Sequence, residues 1–142
     1  MEQKEKDLLL KDLCARMPYG VICRITDTND EDFQRDGKLT EIRDLDTDAN
    51  GTTFVFFNEH VPCYSDITEI KPYLRPMDSM TEDELAEFVW LDNKVAEMPT
   101  FEYVAIGNYR IFDWLNRKHF DYRGLIEKGL AIEATSDMYK ED

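Results

Sequence analysis

The chain has no apolar run approaching the roughly 18 residues that cross a bilayer. Its opening stretch carries Lys4, Lys6, Asp7, Lys11, Asp12 and Arg16 where a signal peptide would hold an apolar core. A cytoplasmic protein without a membrane partner is expected. Cysteine is scarce: Cys14, Cys23 and Cys63 are odd in number and form no Cys-x-x-Cys pair, so neither a disulfide framework nor a zinc cluster is indicated. Reduced, mostly packed thiols are the expectation. Only His60 and His119 could join them as soft ligands, and no spacing assembles four donors. There is no phosphate-cradling glycine loop, no serine or cysteine nucleophile with a suitably spaced base, and no internal repeat. No catalytic, cofactor-binding or metal-binding residue is therefore expected.

At 142 residues the chain suits one hydrophobic core and is short for two. A single α+β domain over 1–142 is expected, with sub-lobes at 1–80, mainly β, and 81–142, mainly α. Apolar residues make up 42% of the chain, enough to offset the entropy of ordering and to exclude a disordered protein. The net charge of −14 is unevenly spread. Residues 27–50 hold nine acids against three bases and residues 82–102 hold seven against one, which together account for −12. Such a surface repels free nucleic acid, whose binding requires cations to displace phosphate counterions. A protein partner is the expectation, with no direct nucleic-acid contact.

Leu9, Leu10, Leu13, Cys14 and Met17 recur at helical spacing, with Lys11, Asp12 and Arg16 between them, which predicts an amphipathic helix over about 5–16 ended by Pro18 and Gly20. Val21, Cys23 and Ile25 alternate as a half-buried strand does. An acidic loop is expected from Thr28 to Gly37. A strand follows over Lys38–Leu45, where Leu39, Ile42 and Leu45 keep a spacing of three that a bulge or a twisted edge would reconcile. Phe54–Phe57 reads as a central strand, joined to the preceding one through an Asn50-Gly51 hairpin turn. Pro62, Pro72 and Pro76 keep residues 61–80 extended, with Ile67 and Ile70 pinning them to the sheet.

Thr81 and Glu84 form a capping box, and Met80 faces Leu85 as a hydrophobic staple, so a helix should run from there to about Lys94, burying Leu85, Phe88, Val89 and Leu91. Pro99 stops any continuation. Asn108 caps a third helix over 109–118 with an apolar face of Ile111, Phe112, Trp114 and Leu115. Asp121 caps a short fourth helix; Gly129 closes it in the left-handed C′ position, with Leu125 and Leu130 in the touching positions of a Schellman motif. Residues 130–134 return as a short strand. The result is an N-terminal helix, a small mostly antiparallel sheet with a hairpin, further helices and a short C-terminal strand.

Four groups of residues invite a functional reading. Asp46, Asp48, Asn50 and Gly51 match the first half of a calcium loop, yet its twelfth position, which needs a bidentate glutamate, is Phe57. An acidic hairpin tip is the reading here. His119 lies near Asp113 and Asp121, which suggests a base oriented by a carboxylate, although a histidine ending a basic helix more often caps carbonyls. The carboxylate pairs Asp44/Asp46 and Glu82/Glu84 sit in polar runs and read as solvated faces. Trp90, Trp114, Tyr103, Tyr109, Phe112, Phe120 and Tyr122 could stack bases, but at helical spacing they read as core. Within 108–132, which concentrates aromatic and basic residues, Trp114, Leu115, Leu125 and Gly129 are assigned to folding. Arg117, Lys118 and Arg123 are assigned to partner contact.

Three blocks, LLLKDLCARMPYGV at 8–21, DITEIKPYLRPMDSMTE at 66–82 and FDWLNRKHFDYRGLIEKGLAI at 112–132, are specific in wording and cover somewhat under half the chain. Together they resemble a family of small uncharacterised proteins of gut Bacteroides-type bacteria and their prophages. The resemblance implies a bacterial or phage cytosolic origin and carries no reaction, cofactor or catalytic residue. The function expected is a non-enzymatic accessory or protein-interaction module. An acidic DNA mimic that occupies a host DNA-binding protein stands second, and an enzyme of unrecognised type third.

Because the Asp46–Gly51 turn lacks the bidentate ligand, it misses two of the six to eight oxygens calcium needs. Calorimetric titration with calcium up to sub-millimolar concentration should show no binding heat. A tight one-to-one isotherm abolished by Asp46→Ala would overturn this reading.

Overall fold

A computed structural model describes residues 2–27, 30–44, 52–58, 61–97 and 101–139. Helix α1 (Gln3–Arg16) is followed by strands β1 (Ile22–Asp27), β2 (Asp30–Asp44), β3 (Thr52–Asn58), β4 (Val61–Ser65) and β5 (Ile70–Leu74). Helices α2 (Glu82–Ala96) and α3 (Phe101–Arg117) come next, and β6 (Ile132–Glu133) closes the order. The six strands form one sheet in the order β4-β3-β2-β1-β5-β6. Neighbours are antiparallel except β5 and β6, which run parallel. The α+β class and the arrangement expected from the sequence are therefore present. None of the described helices is long and apolar enough to cross a membrane.

One core lies between α1 and the sheet. Leu9 and Leu13 of α1 pack with Val21, Cys23 and Ile25 at β1, Leu39 of β2, Phe54 of β3 and Ile70 and Leu74 of β5. Leu125, Leu130 and Ala131 close the same core from the C-terminal side. Leu39 and Ile42 both turn toward it because the β2–β3 register shifts between Leu39 and Glu41. The bulge takes up one residue, so a spacing of three keeps one face, as the sequence required. Pro62 falls in β4, an edge strand, where proline is tolerated. Burial lifts the Cys23 thiol well above its ordinary pKa, keeping it protonated, while Cys14 is exposed.

The expectations for α1 need two corrections. Cys14 lies on the solvent face, and the buried stripe is Leu9, Asp12, Leu13 and Arg16, with two charged residues standing where apolar ones were expected. Asp12 and Arg16 are fully buried and pair through a bond of 2.9 Å from Arg16 Nε to Asp12 Oδ2, while Arg16 Nη1 has no partner among the described residues. Arg123 completes the group by donating to Asp12 Oδ1 at 2.7 Å. A charge leaves water when paired and hydrogen-bonded, and here the pairing comes from one turn away and from the far end of the chain.

The acidic stretch after β1 is also not a loop. Residues 30–37 belong to β2, with Gln34, Arg35 and Asp36 opposite Thr26, Ile25 and Arg24. Pairing with an apolar strand overrides the weak strand preference of aspartate. On the outer face the Tyr73 hydroxyl donates to Asp36 (2.7 Å) and accepts from Arg24 (3.0 Å), tying β5, β2 and β1 together. Residues 61–80 contain two strands and two single 3-10 turns, Ile67–Glu69 and Met77–Ser79. Ile67 and Ile70 pin the first turn to the core as expected.

The capping box of α2 forms: Thr81 N–H donates to Glu84 Oε1 (3.0 Å) and Glu84 N–H to the Thr81 hydroxyl (3.2 Å). Helix α3 begins at Phe101 and runs through Asn108, so Asn108 is not its cap. Gly107 in the interior costs about 1 kcal/mol, which the packing of the C-terminal half offsets. There Trp114, Leu115 and Phe120 form a second core with Met80, Phe88, Leu91, Ile111 and Tyr122 around it. Trp114 stacks on Phe120 at 5.7 Å and meets Phe88 at 6.0 Å. Leu85 and Val89, expected inside, are 52% and 47% exposed. The Asp46–Gly51 turn, His60 and Pro99 lie outside the described residues, as does the side chain of Cys63.

No fourth helix follows α3. Residues 122–129 make turns, yet their caps are the expected ones: Asp121 accepts from the Leu125 and Ile126 amides at 2.8 and 3.0 Å. Gly129 N–H donates to the Ile126 carbonyl and Leu130 N–H to the Leu125 carbonyl, the paired bonds of a Schellman motif. Gly129 has φ +72 and open space where a Cβ would stand, so Gly129→Ala should cost the left-handed strain alone, about 1 kcal/mol. Trp114→Ala, which removes a buried indole, should cost about 3–5 kcal/mol. Chemical denaturation of both variants checks this; a wild-type midpoint for Trp114→Ala would put the indole on the wrong face.

Candidate functional site

A cleft of about 1010 Å³ opens where the chain after α1, the end of β5, the start of α2, the end of α3 and the segment after β6 converge. Its walls include Tyr19, Lys38, Arg75, Thr81, Glu84, Arg117, Lys118, His119, Glu133, Thr135 and Tyr139. Four cations thus face two carboxylates in a chain whose net charge is −14. Arg75 and Glu84 form a bidentate pair, Nη1 to Oε2 at 2.8 Å and Nη2 to Oε1 at 2.6 Å. The Arg75 guanidinium also lies 4.2 Å from the Phe120 ring centre. This pairing, first among its causes, holds the Glu84 carboxyl down at about 2. Glu84 therefore both caps α2 and fixes the end of β5 against it.

His119 forms the floor. It is the one described non-glycine residue with positive φ, +63, and its N–H donates to the Asn116 carbonyl while Phe120 N–H donates to that of Leu115. These are again the bonds of a Schellman motif, closing α3 with histidine where glycine is usual. The left-handed conformation costs a non-glycine residue roughly 1–2 kcal/mol, and flanking bonds hold it in place. Arg75 N–H donates to the His119 carbonyl and Asp121 N–H to that of Arg75, both at 2.8 Å, so the chain after α3 is stitched to the end of β5. No glycine marked this turn in the sequence. The signal present was the apolar pair Leu115 and Phe120 in the touching positions.

The imidazole is 4% exposed and stacks on the Tyr139 ring at 3.8 Å. Burial lowers its pKa to about 3, with Arg16, Arg75 and Lys38 adding to the effect and a bond to the Tyr19 backbone opposing it. Nδ1 has no hydrogen-bond partner among the described residues. Neither acid expected beside His119 reaches it. Asp113 accepts a short bond from the Tyr19 hydroxyl, and Asp121 caps the turn at Leu125. The arrangement makes His119 a neutral wedge with no carboxylate to orient it as a base.

Tyr139 carries a role the sequence did not indicate. The β1–β5 ladder ends at Cys23 and Pro72; beyond it the Tyr139 hydroxyl accepts from Ile22 N–H at 2.9 Å and donates to the Tyr73 carbonyl at 2.7 Å. A side chain thus supplies a rung between two strands. Of the residues assigned to partner contact, Arg117 and Lys118 stand in the cleft wall, whereas Arg123 is bound to Asp12 and lies over the Tyr122 ring at 4.6 Å. The aromatic set divides: Trp114 and Phe120 are core, while Trp90, Tyr109 and Phe112 are 58%, 71% and 49% exposed.

His119 makes the fold sensitive to acid. The folded chain leaves it neutral down to about pH 3, whereas the unfolded chain protonates it near 6.5. Its stabilisation is complete above pH 6.5 and falls as the pH drops through that window, by up to about 1.4 kcal/mol per unit. Glu84 adds a second loss only below its ordinary 4.5. His119→Asn, which tolerates the left-handed conformation, should flatten the slope of unfolding free energy between pH 6.5 and 4.5. Urea denaturation across that range checks it; parallel slopes would mean that His119 is charged in the fold.

Comparisons of the chain with protein-family models, with curated proteins and with solved structures find no match.

Proposed function

We propose that the protein is an interaction module that docks a protein partner through the outer faces of α2 and α3. The observation that carries this reading is the exposure of Leu85, Val89 and Trp90 on α2 and of Tyr109 and Phe112 on α3. Large apolar side chains left in water on a folded domain are costly, and tryptophan and tyrosine are the residues that most often anchor interfaces. Glu82, Asp83 and Asp92 on the same α2 helix favour a partner with apolar anchors and a basic rim. A bacterial or phage cytosol is the setting that the family resemblance implies.

A mimic of duplex DNA fits less well. The duplex carries about one phosphate per 1.7 Å of axis, whereas carboxylates on one face of a strand such as β2 recur at best every two residues, about 6.8 Å. The cations of the cleft break the pattern further.

Capture of partners from a Bacteroides-type lysate, compared between wild type and the double variant Leu85→Ala/Trp90→Ala, tests the docking reading. The variant should keep its stability within about 0.5 kcal/mol per site, as surface substitutions do, and lose a partner that the wild type retains through a high-salt wash. Loss of stability on a core scale would show that the face is covered, and undiminished capture would place docking elsewhere.

A further inference from the structure

We propose that the cleft beside His119 binds a small molecule through a phosphomonoester group held between Lys38 and Arg117. This site is separate from the outer faces of α2 and α3 and does not depend on them. Within the cleft Arg75 is committed to Glu84. Lys38 and Arg117, by contrast, have no hydrogen bond or ion pair among the described residues. Like charges gathered in one concavity of an acidic chain repel each other, and an anion removes that repulsion.

Lys38 also passes close to a glycine. Gly20 has φ +69, and a Cβ there would stand 3.2 Å from Lys38 Cε, so the lysine stem runs close over the Gly20 backbone. Burial first, and then the charges of Arg16, Arg75 and Lys38, hold the His119 ring at the cleft floor neutral. Lys38 and Arg117, two cations whose side chains have no hydrogen bond or ion pair among the described residues, match the charge of a phosphomonoester, about −1.5 to −2 at neutral pH. A carboxylate would neutralise one cation and leave the other. Arginine binds phosphate through its planar fork and lysine as a point charge, and the two complement each other around three acceptor oxygens. The volume of about 1010 Å³ exceeds what the anion alone fills and is that of a small-molecule pocket.

The test is thermal melting of the full chain in chloride, acetate, inorganic phosphate and phenyl phosphate at constant ionic strength. Phosphate should raise the melting temperature above that in chloride, acetate should not, and phenyl phosphate should raise it further. Lys38→Gln/Arg117→Gln should melt in chloride no lower than a surface substitution allows, because neither side chain has a hydrogen bond or ion pair among the described residues, and should bind phosphate about tenfold or more weakly. The His119 ring resonance offers a second readout, since an anion bound above it should move its titration to higher pH. The proposal is overturned by the absence of a phosphate increment, by an equal increment in acetate, or by an increment undiminished in the double variant. Equal increments for the two phosphates would remove the small-molecule ester and leave a site for the free ion, contrary to what is proposed.

Discussion

Two guanidinium groups share one buried carboxylate, and the C-terminal third of the fold is positioned by that arrangement. Asp12 receives Arg16 on one oxygen and Arg123 on the other. The surplus positive charge is spread over the Phe120 carbonyl, which Arg16 Nη2 reaches at 2.5 Å, and over the Tyr122 ring, which both arginines face. Low-dielectric surroundings make such a group hard to disturb piecemeal. Removing one member leaves the others charged and dry, at a cost of about 3–5 kcal/mol. The ties to Phe120, Tyr122 and Arg123 fix the segment that follows α3, and that segment carries the turn through Gly129 into β6. Arg16 also adds to the potential that keeps His119 neutral. A packing device of α1 thereby adds, after burial, to what keeps His119 neutral in a cleft formed by other elements.

The chain separates its charges by place. Acids cover β2 and the first turn of α2, while the cleft gathers cations around a wedge of histidine and tyrosine. The two aromatic roles separate as well: Trp114 and Phe120 build core, and Trp90, Tyr109 and Phe112 remain in solvent. Helix α2 joins these regions, because Glu84 at its start holds the cleft wall through Arg75 while Leu85 and Val89 face outward.

Features written in short-range chemistry were legible in the sequence. The Thr81–Glu84 box, the bulge after Leu39, the Asp121 cap and the Gly129 Schellman turn each depend on residues a few positions apart. What was not legible depends on distant partners. Asp12 and Arg16 read as a solvent face because Arg123 lies 111 positions from Asp12 and the Phe120 carbonyl 104 from Arg16. Residues 30–37 read as a loop because their strand character comes from β1. The left-handed turn at His119 was hidden by the absence of glycine, and the cleft followed from it. Leu85 and Val89 have the periodicity of buried residues, and periodicity does not say whether a neighbour exists to cover them.

The hydroxyl of Tyr139, which stands in for a rung between β1 and β5, comes from 117 residues beyond the Ile22 amide that it satisfies. Like the ion pair of Asp12 with Arg123, it spans most of the chain. Contacts of such separation close large loops before they return any stabilisation, which slows folding. During synthesis the N-terminal helix and first strands emerge without the partners that satisfy their buried charges and open backbone groups. Those two contacts can form only when the segment after α3 has been made.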